Sequence, residues 1–122
     1  MIVQVADGDG GSDTQAIAVT VTNVNEAPVI TSNGGGSSAS VNAAENQTGV
    51  ATVASSDVDG STAVYSISGG ADAALFAIDS ATGVLTFNSA PNFEAPTDAG
   101  GNNVYDVTVQ VADGNGGSDT QA

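Results

Sequence analysis

The chain reads as all-β: an antiparallel β-sandwich of about seven short strands. Three observations lead there. Runs such as Val50–Ser55 and Val64–Ser68 are short and β-rich, and the first alternates with period two, the pattern of a half-buried strand. Asp, Gly and Asn clusters interrupt such runs about every ten residues, the spacing of a sandwich. The third is an internal repeat. Val3–Ala16 recurs as Val109–Ala122 with a period of 106 residues, differing only at Asp9 against Asn115. That period is about one small β domain, so the pattern is one of beads on a string.

Taken in order, residues 2–6 and 14–24 are expected to form two strands around an Asp/Gly turn. Thr22–Pro28 then makes a joint, with Pro28 stiffening the exit and holding Ala27 extended. Val29–Ser32 opens the second unit, and the glycine-rich Ser32–Ser38 is a loop. Ala39–Ala44 is a weak strand ending at Glu45-Asn46, and Val50–Ser55 is the next. Ser56–Gly60 is an acidic turn before Val64–Ser68. Asp72–Phe76 has room for one helical turn capped by Asp72. Phe76–Ile78 and Val84–Phe87 flank the Asp79–Gly83 turn, and Pro91 and Pro96 bracket an excursion carrying Asn92, Phe93 and Glu94. Asn103–Ala112 is expected to be the longest strand, with Asp113–Gly117 turning back. Residues 1–24 thus read as the last hairpin of a preceding repeat. Residues 25–28 read as the linker, and residues 29–122 as a repeat lacking most of its final strand.

Charge narrows the function. Fourteen acids and no Lys, Arg or His give a formal charge of −14 with no internal cation. Converging carboxylates then need metal ions or salt to persist in a compact state. Phosphate binding requires cationic side chains, so nucleic acid is not a partner, and an anionic membrane surface is disfavoured likewise. Without His, Cys, Lys or Arg the usual bases, nucleophiles and anion clamps are absent, and the chain is not expected to be an enzyme. A carboxylate pair suits glycoside hydrolysis, yet there is no Trp to build a sugar platform. No cysteine is present, so no disulfide framework points to a compartment. No signal peptide or membrane-inserting run is evident. The joint instead collects Asn23, Asn25 and Glu26, oxygen donors without nitrogen or sulfur ligands, which suits a hard cation such as calcium.

From Pro28 onward the sequence resembles a bacterial cadherin-like repeat of large calcium-dependent secreted or surface adhesins. The resemblance rests on ordered motifs: Ala44-Glu45-Asn46, Asp57-Val58-Asp59-Gly60, Val64-Tyr65-Ser66-Ile67, Phe76-Ala77-Ile78-Asp79 with Thr82-Gly83, Asn92-Phe93-Glu94, and Val111-Ala112-Asp113-Gly114. It implies a cadherin-like, immunoglobulin-like sandwich with calcium between successive repeats. The linker contribution falls on Asn23, Asn25 and Glu26, and that of the following repeat on Asp57, Asp59 and Asp113. Glu45, Asn92 and Glu94 are implied to face the opposite pole and serve the next joint. The linker is one residue shorter than the family pattern, with Asn23 and Asn92 where Asp is usual and Glu26 for the second Asp, which implies fewer or weaker ions. For Asp57 and Asp59 an ordinary acidic turn is the competing reading, and for Glu45 a solvated acid. Asn92 and Glu94 compete with a rigid Pro-bracketed loop.

These readings converge on an extracellular or bacterial cell-surface spacer and adhesive module. Its partners are neighbouring repeats or other copies of itself, joined head to tail by strand exchange. Self-closure is strained: opposite poles of such a fold lie about 30 Å apart for a nine-residue strand, whereas a link from Asn25 to Val29 reaches about 17 Å. Polysaccharide binding is the alternative function.

Overall fold

The computed structural model describes residues 1–122, which hold ten strands and one 3₁₀ turn. At the start, β1 (Ile2–Ala6) pairs antiparallel with β2 (Ser12–Ala16) as an isolated hairpin. The main unit contains β3 (Val29–Ile30), β4 (Gly49–Thr52), β5 (Ser55–Ser56), β6 (Val64–Gly69), β7 (Phe76–Ile78), β8 (Val84–Phe87), β9 (Thr108–Ala112) and β10 (Ser118–Gln121). One sheet has the order β10-β9-β6 and the other β4-β8-β7, while β3 and β5 form a short separate ladder. All pairings are antiparallel.

Period-two alternation builds the core. Val109 and Val111 on β9 point inward, as do Leu85 and Phe87 on β8, so the two sheets meet through alternate residues. Tyr65, Phe76, Ile30 and Val53 complete the buried cluster. Phe76 stacks on Phe87 with centroids 4.6 Å apart, and Tyr105 meets Phe87 edge-on at 5.1 Å. Both arrangements suit the aromatic quadrupole. Tyr65 shares a 3.0 Å hydrogen bond between its hydroxyl and that of Ser55.

Several elements differ from expectation. The second strand of the first hairpin covers Ser12–Ala16, Ile17 extends its pairing by bonds with Met1, and residues 18–28 have no sheet partner despite their alternation. Ala39–Ala44 is not a strand, because a single pair of hydrogen bonds, Ala39 N–H to Ala122 O and Ala122 N–H to Ser37 O, is all that its neighbour provides. Asn103–Ala112 shrinks to β9, so β6 is the longest strand. Asp72 sits at the N-cap of the 3₁₀ turn Ala73–Leu75 without capping it. Its buried carboxylate is turned to the backbone N–H groups of Ala99 and Asp106, at 2.7 and 2.8 Å, and so pins two loops.

The repeated sequence adopts one conformation in two environments. Asp7 accepts from the N–H groups of Asp9 and Gly11, as Asp113 does from Asn115 and Gly117. Yet Val3 and Val5 are 40% and 68% exposed, where the matching Val109 and Val111 are 4% and 0% exposed. The whole chain exposes 7675 Å², against about 5,900 Å² for a compact monomer of this mass. The excess reflects the uncovered hairpin and the extended segment after it.

Candidate metal centre at the joint

The joint is built where the linker crosses the turn between β9 and β10. Gly117 makes this possible, since a side chain there would fall 2.8 Å from the Cα of Ala27. Pro28, buried, then feeds β3 into the sandwich. The Asn25 side-chain amide donates to Asp113 at 2.9 Å. The Glu26 backbone N–H donates to Asp59 at 2.7 Å, and the Asp59 N–H donates to Asp57 at 2.8 Å. The Asn23 side-chain amide lies near enough to Asp59 to help hold its carboxyl low. Six of the nine residues expected from sequence, Asn23, Asn25, Glu26, Asp57, Asp59 and Asp113, are therefore brought to one place.

Electrostatics at this place are conflicted. The Glu26 carboxyl is pushed above its usual range, first by its side-chain hydrogen bond to Asp59 and then by burial and the negative charge of Asp59 and Asp57. Asp59 is held low, first by the Glu26 N–H and next by the Asn23 amide. Asp113 is held low by the Asn25 amide and then by the Asn115 N–H. The other oxygen of Asp57, Oδ2, is buried with no hydrogen-bond partner. An anionic oxygen left that way is costly, and this chain has no cationic side chain to meet it.

The remaining three residues gather elsewhere. Glu45 accepts from the Phe93 N–H at 2.9 Å, and Asn92 accepts from the Glu94 N–H at 3.1 Å. They rigidify the Pro-bracketed excursion and make no contact with the joint. No group of three or more acidic side chains is placed to hold a metal ion by itself. Any such site must therefore recruit amide and backbone oxygens or acids from a neighbouring unit.

Two residues with no motif signal also matter. Asp119 accepts the Ile30 N–H at 2.8 Å, tying β3 to β10. The buried Gln121 amide donates to the carbonyls of Ser32, Gly35 and Gly36 at 3.3, 3.1 and 3.3 Å, folding the glycine loop over the end of β10. Their only trace in the sequence is that they recur as Asp13 and Gln15, which are exposed.

Two packed antiparallel layers, closed by β3 and carrying no catalytic constellation, define an immunoglobulin-like β-sandwich module. Residues 25–122 match the family described as bacterial Ig domain, and the chain belongs to that family. The family is one of non-catalytic structural modules, often found in surface or extracellular proteins. The match carries the immunoglobulin-like class; the narrower cadherin-like resemblance rests on the motifs alone. No curated protein matches the chain. No helix is long and apolar enough to cross a membrane.

Proposed function

We propose that this chain is a calcium-stiffened spacer and adhesive repeat of a bacterial surface or secreted protein, with the metal held where the linker meets the acidic turns. Residues 1–24 then form the last hairpin of one repeat and residues 29–122 the body of the next. The exposed Asp13 and Gln15, whose counterparts Asp119 and Gln121 clamp β3 and its loop, support that division.

The observation that carries the reading is the orphaned Asp57 Oδ2, facing no donor in a cluster of hard oxygens. The donor set fits calcium, which takes about six to eight oxygens and tolerates irregular geometry. Asp57 and Asp59 would offer carboxylate oxygens, with Asp113, Glu26 and the oxygens of Asn23 and Asn25 drawn in around them, since no three of these acids are placed to hold an ion alone. Glu45, Asn92 and Glu94 of an adjoining unit would complete the shell. When bound, the ion supplies the positive charge that this sequence lacks. Linker and sandwich are already tied by the Asn25–Asp113 and Glu26–Asp59 bonds, so relieving the repulsion around them stiffens the joint. Polysaccharide binding finds less support, because both tyrosines pack inward and Phe93 is the one large aromatic left exposed.

A calcium titration followed by thermal melting tests this. Saturation at about a hundredfold over Kd should raise the melting temperature by about 10 °C or more. Asp57→Asn should lose most of that rise, yet melt no lower than the parent in chelator, because it removes an unpaired buried charge. A parent melting curve that is the same in calcium and in chelator overturns the reading.

A further inference from the structure

Two Asn-Gly pairs occur in the chain, Asn33-Gly34 and Asn115-Gly116. Asparagine is a thermolabile residue, and glycine is the follower that exposes it most, because no Cβ shields the next backbone nitrogen. We propose that Asn115 is a site of spontaneous deamidation, which places a new carboxylate beside Asp113 at the joint.

The turn leaves both reacting groups free. Asp113 Oδ1 accepts the N–H groups of Asn115 and Gly117 at 2.8 and 2.9 Å. The Gly116 N–H between them makes no hydrogen bond. Gly116 sits at φ +93°, and nothing lies within 4 Å of the place a side chain would take, so water reaches it from that side. Asn115 is exposed, and its Nδ2 reaches only Ser61 Oγ, at 3.4 Å. A hydrogen bond of that length restrains the amide little.

The chemistry needs no partner but water. The Gly116 nitrogen gives its proton to hydroxide and attacks Asn115 Cγ. The new N–Cγ bond closes a five-membered succinimide as the Cγ–Nδ2 bond breaks and ammonia leaves. Water then opens the ring. Cleavage of the N–Cγ bond yields aspartate, and cleavage at the Asn115 main-chain carbonyl carbon yields isoaspartate. One water enters, one ammonia departs, and no electrons are exchanged.

Other asparagines are held. The Asn33 amide is directed at Gln121 Oε1, and the Gln121 amide clamps the carbonyls of Ser32, Gly35 and Gly36 around it. Ring closure there has to remodel the whole loop. Asn88 donates to the carbonyls of Ala74 and Phe76 at 3.0 and 3.4 Å, and Ser89 follows it.

The repeat shows what the turn tolerates. Asp9 stands where Asn115 does, and Asp7 accepts the N–H groups of Asp9 and Gly11 in the same pattern. An aspartate product therefore keeps the β9–β10 turn and adds charge to it. Isoaspartate instead inserts a backbone carbon between the two N–H groups that Asp113 holds, which loosens the turn that Asn25 grips. That the added charge raises the need for metal rests on the calcium reading above; the deamidation itself does not.

Warm incubation of the full chain across pH, followed by intact mass and peptide mapping, tests this. Each event raises the mass by one unit and releases one ammonia. Conversion at Asn115 should outpace that at Asn33 and Asn88 by at least about tenfold. It should rise with hydroxide concentration and yield both aspartate and isoaspartate, the latter labelled by an isoaspartyl methyltransferase. Asn115→Gln, whose ring would need six members, should abolish it and leave the melting curve in place. An unchanged mass at Asn115, or equal rates at the three asparagines, overturns the proposal. Asn115→Asp should melt lower than the parent in chelator and gain more from calcium, because one more carboxylate repels its neighbours. Conversion in a chain whose melt ignores calcium sinks the calcium joint alone. A calcium-dependent melt with Asn115 intact after incubation sinks the deamidation alone.

Discussion

At the residue scale, carboxylates do the organising that cations do in most proteins. Each well-placed Asp collects backbone N–H groups: Asp98 takes those of Asn102 and Asn103, and Asp79 takes those of Ala81 and Thr82. These bonds favour the ionised form, so Asp98 is held below its ordinary value of 3.8, chiefly by the Asn102 N–H. The sign follows. A depressed folded pKa contributes stability that is full above the unfolded value and disappears as pH falls through the folded one. Melting temperature should therefore drop below about pH 4. Asp98→Asn should melt lower than the parent near neutrality and lose less on acidification, as read by thermal melts across pH. The Asp57→Asn substitution has a different consequence. The second oxygen of Asp57 has no partner, so neutralising it costs nothing in chelator and shows only once metal is present.

At the element scale, stability is concentrated in the facing strands β8 and β9. Phe87 is buried, stacks on Phe76 and receives the edge of Tyr105. Phe87→Ala should cost about 3–5 kcal/mol, a large share of what so light a core supplies, measured by urea unfolding. The β7–β8 turn depends on Gly83, which sits at φ +75° with the Val53 carbonyl oxygen where a side chain would lie. An alanine there meets both an unfavourable backbone and that oxygen. Gly83→Ala should therefore destabilise by more than about 1 kcal/mol, in the same assay. Neither change touches the joint, so calcium should still raise the melting temperature of each.

At the scale of the whole molecule, charge and exposed surface pose the same problem. The chain carries a formal charge of −14 and exposes 7675 Å², part of it apolar surface that nothing covers. Monovalent salt at about 1 M shortens the screening length to about 3 Å. In chelator it should raise the melting temperature of the parent and of Asp57→Asn equally. Calcium should distinguish them, because coordination requires the Asp57 oxygen and screening does not. A salt response that separates the two variants would contradict site-specific binding.

Local physics explains what was legible beforehand. Alternation in Val64–Ser68 and Val84–Phe87, the Asp/Gly turns at Asp79 and Asp113, and the 106-residue repeat are short-range or self-referential signals, readable without knowing the fold. They sufficed for an all-β sandwich, and the linker's own composition marked Asn23, Asn25 and Glu26 as oxygen donors, whereas Asp57, Asp59 and Asp113 were implied only by the cadherin-like resemblance. Alternation could not reveal whether a strand has a partner. Ala18–Val24 and Ser40–Ala44 carry strand-like patterns and remain unpaired, because a ladder needs a second chain segment at the right edge. Nor was it visible that Asp72 pins loops instead of capping a turn, or that Gln121 and Asp119 hold residues almost ninety positions away. The same fourteen-residue pattern is exposed at one end and forms the core edge at the other. Sequence alone determined the conformation of that hairpin through its turn chemistry. Tertiary structure alone decided its burial, because burial belongs to what packs against a strand and not to the strand.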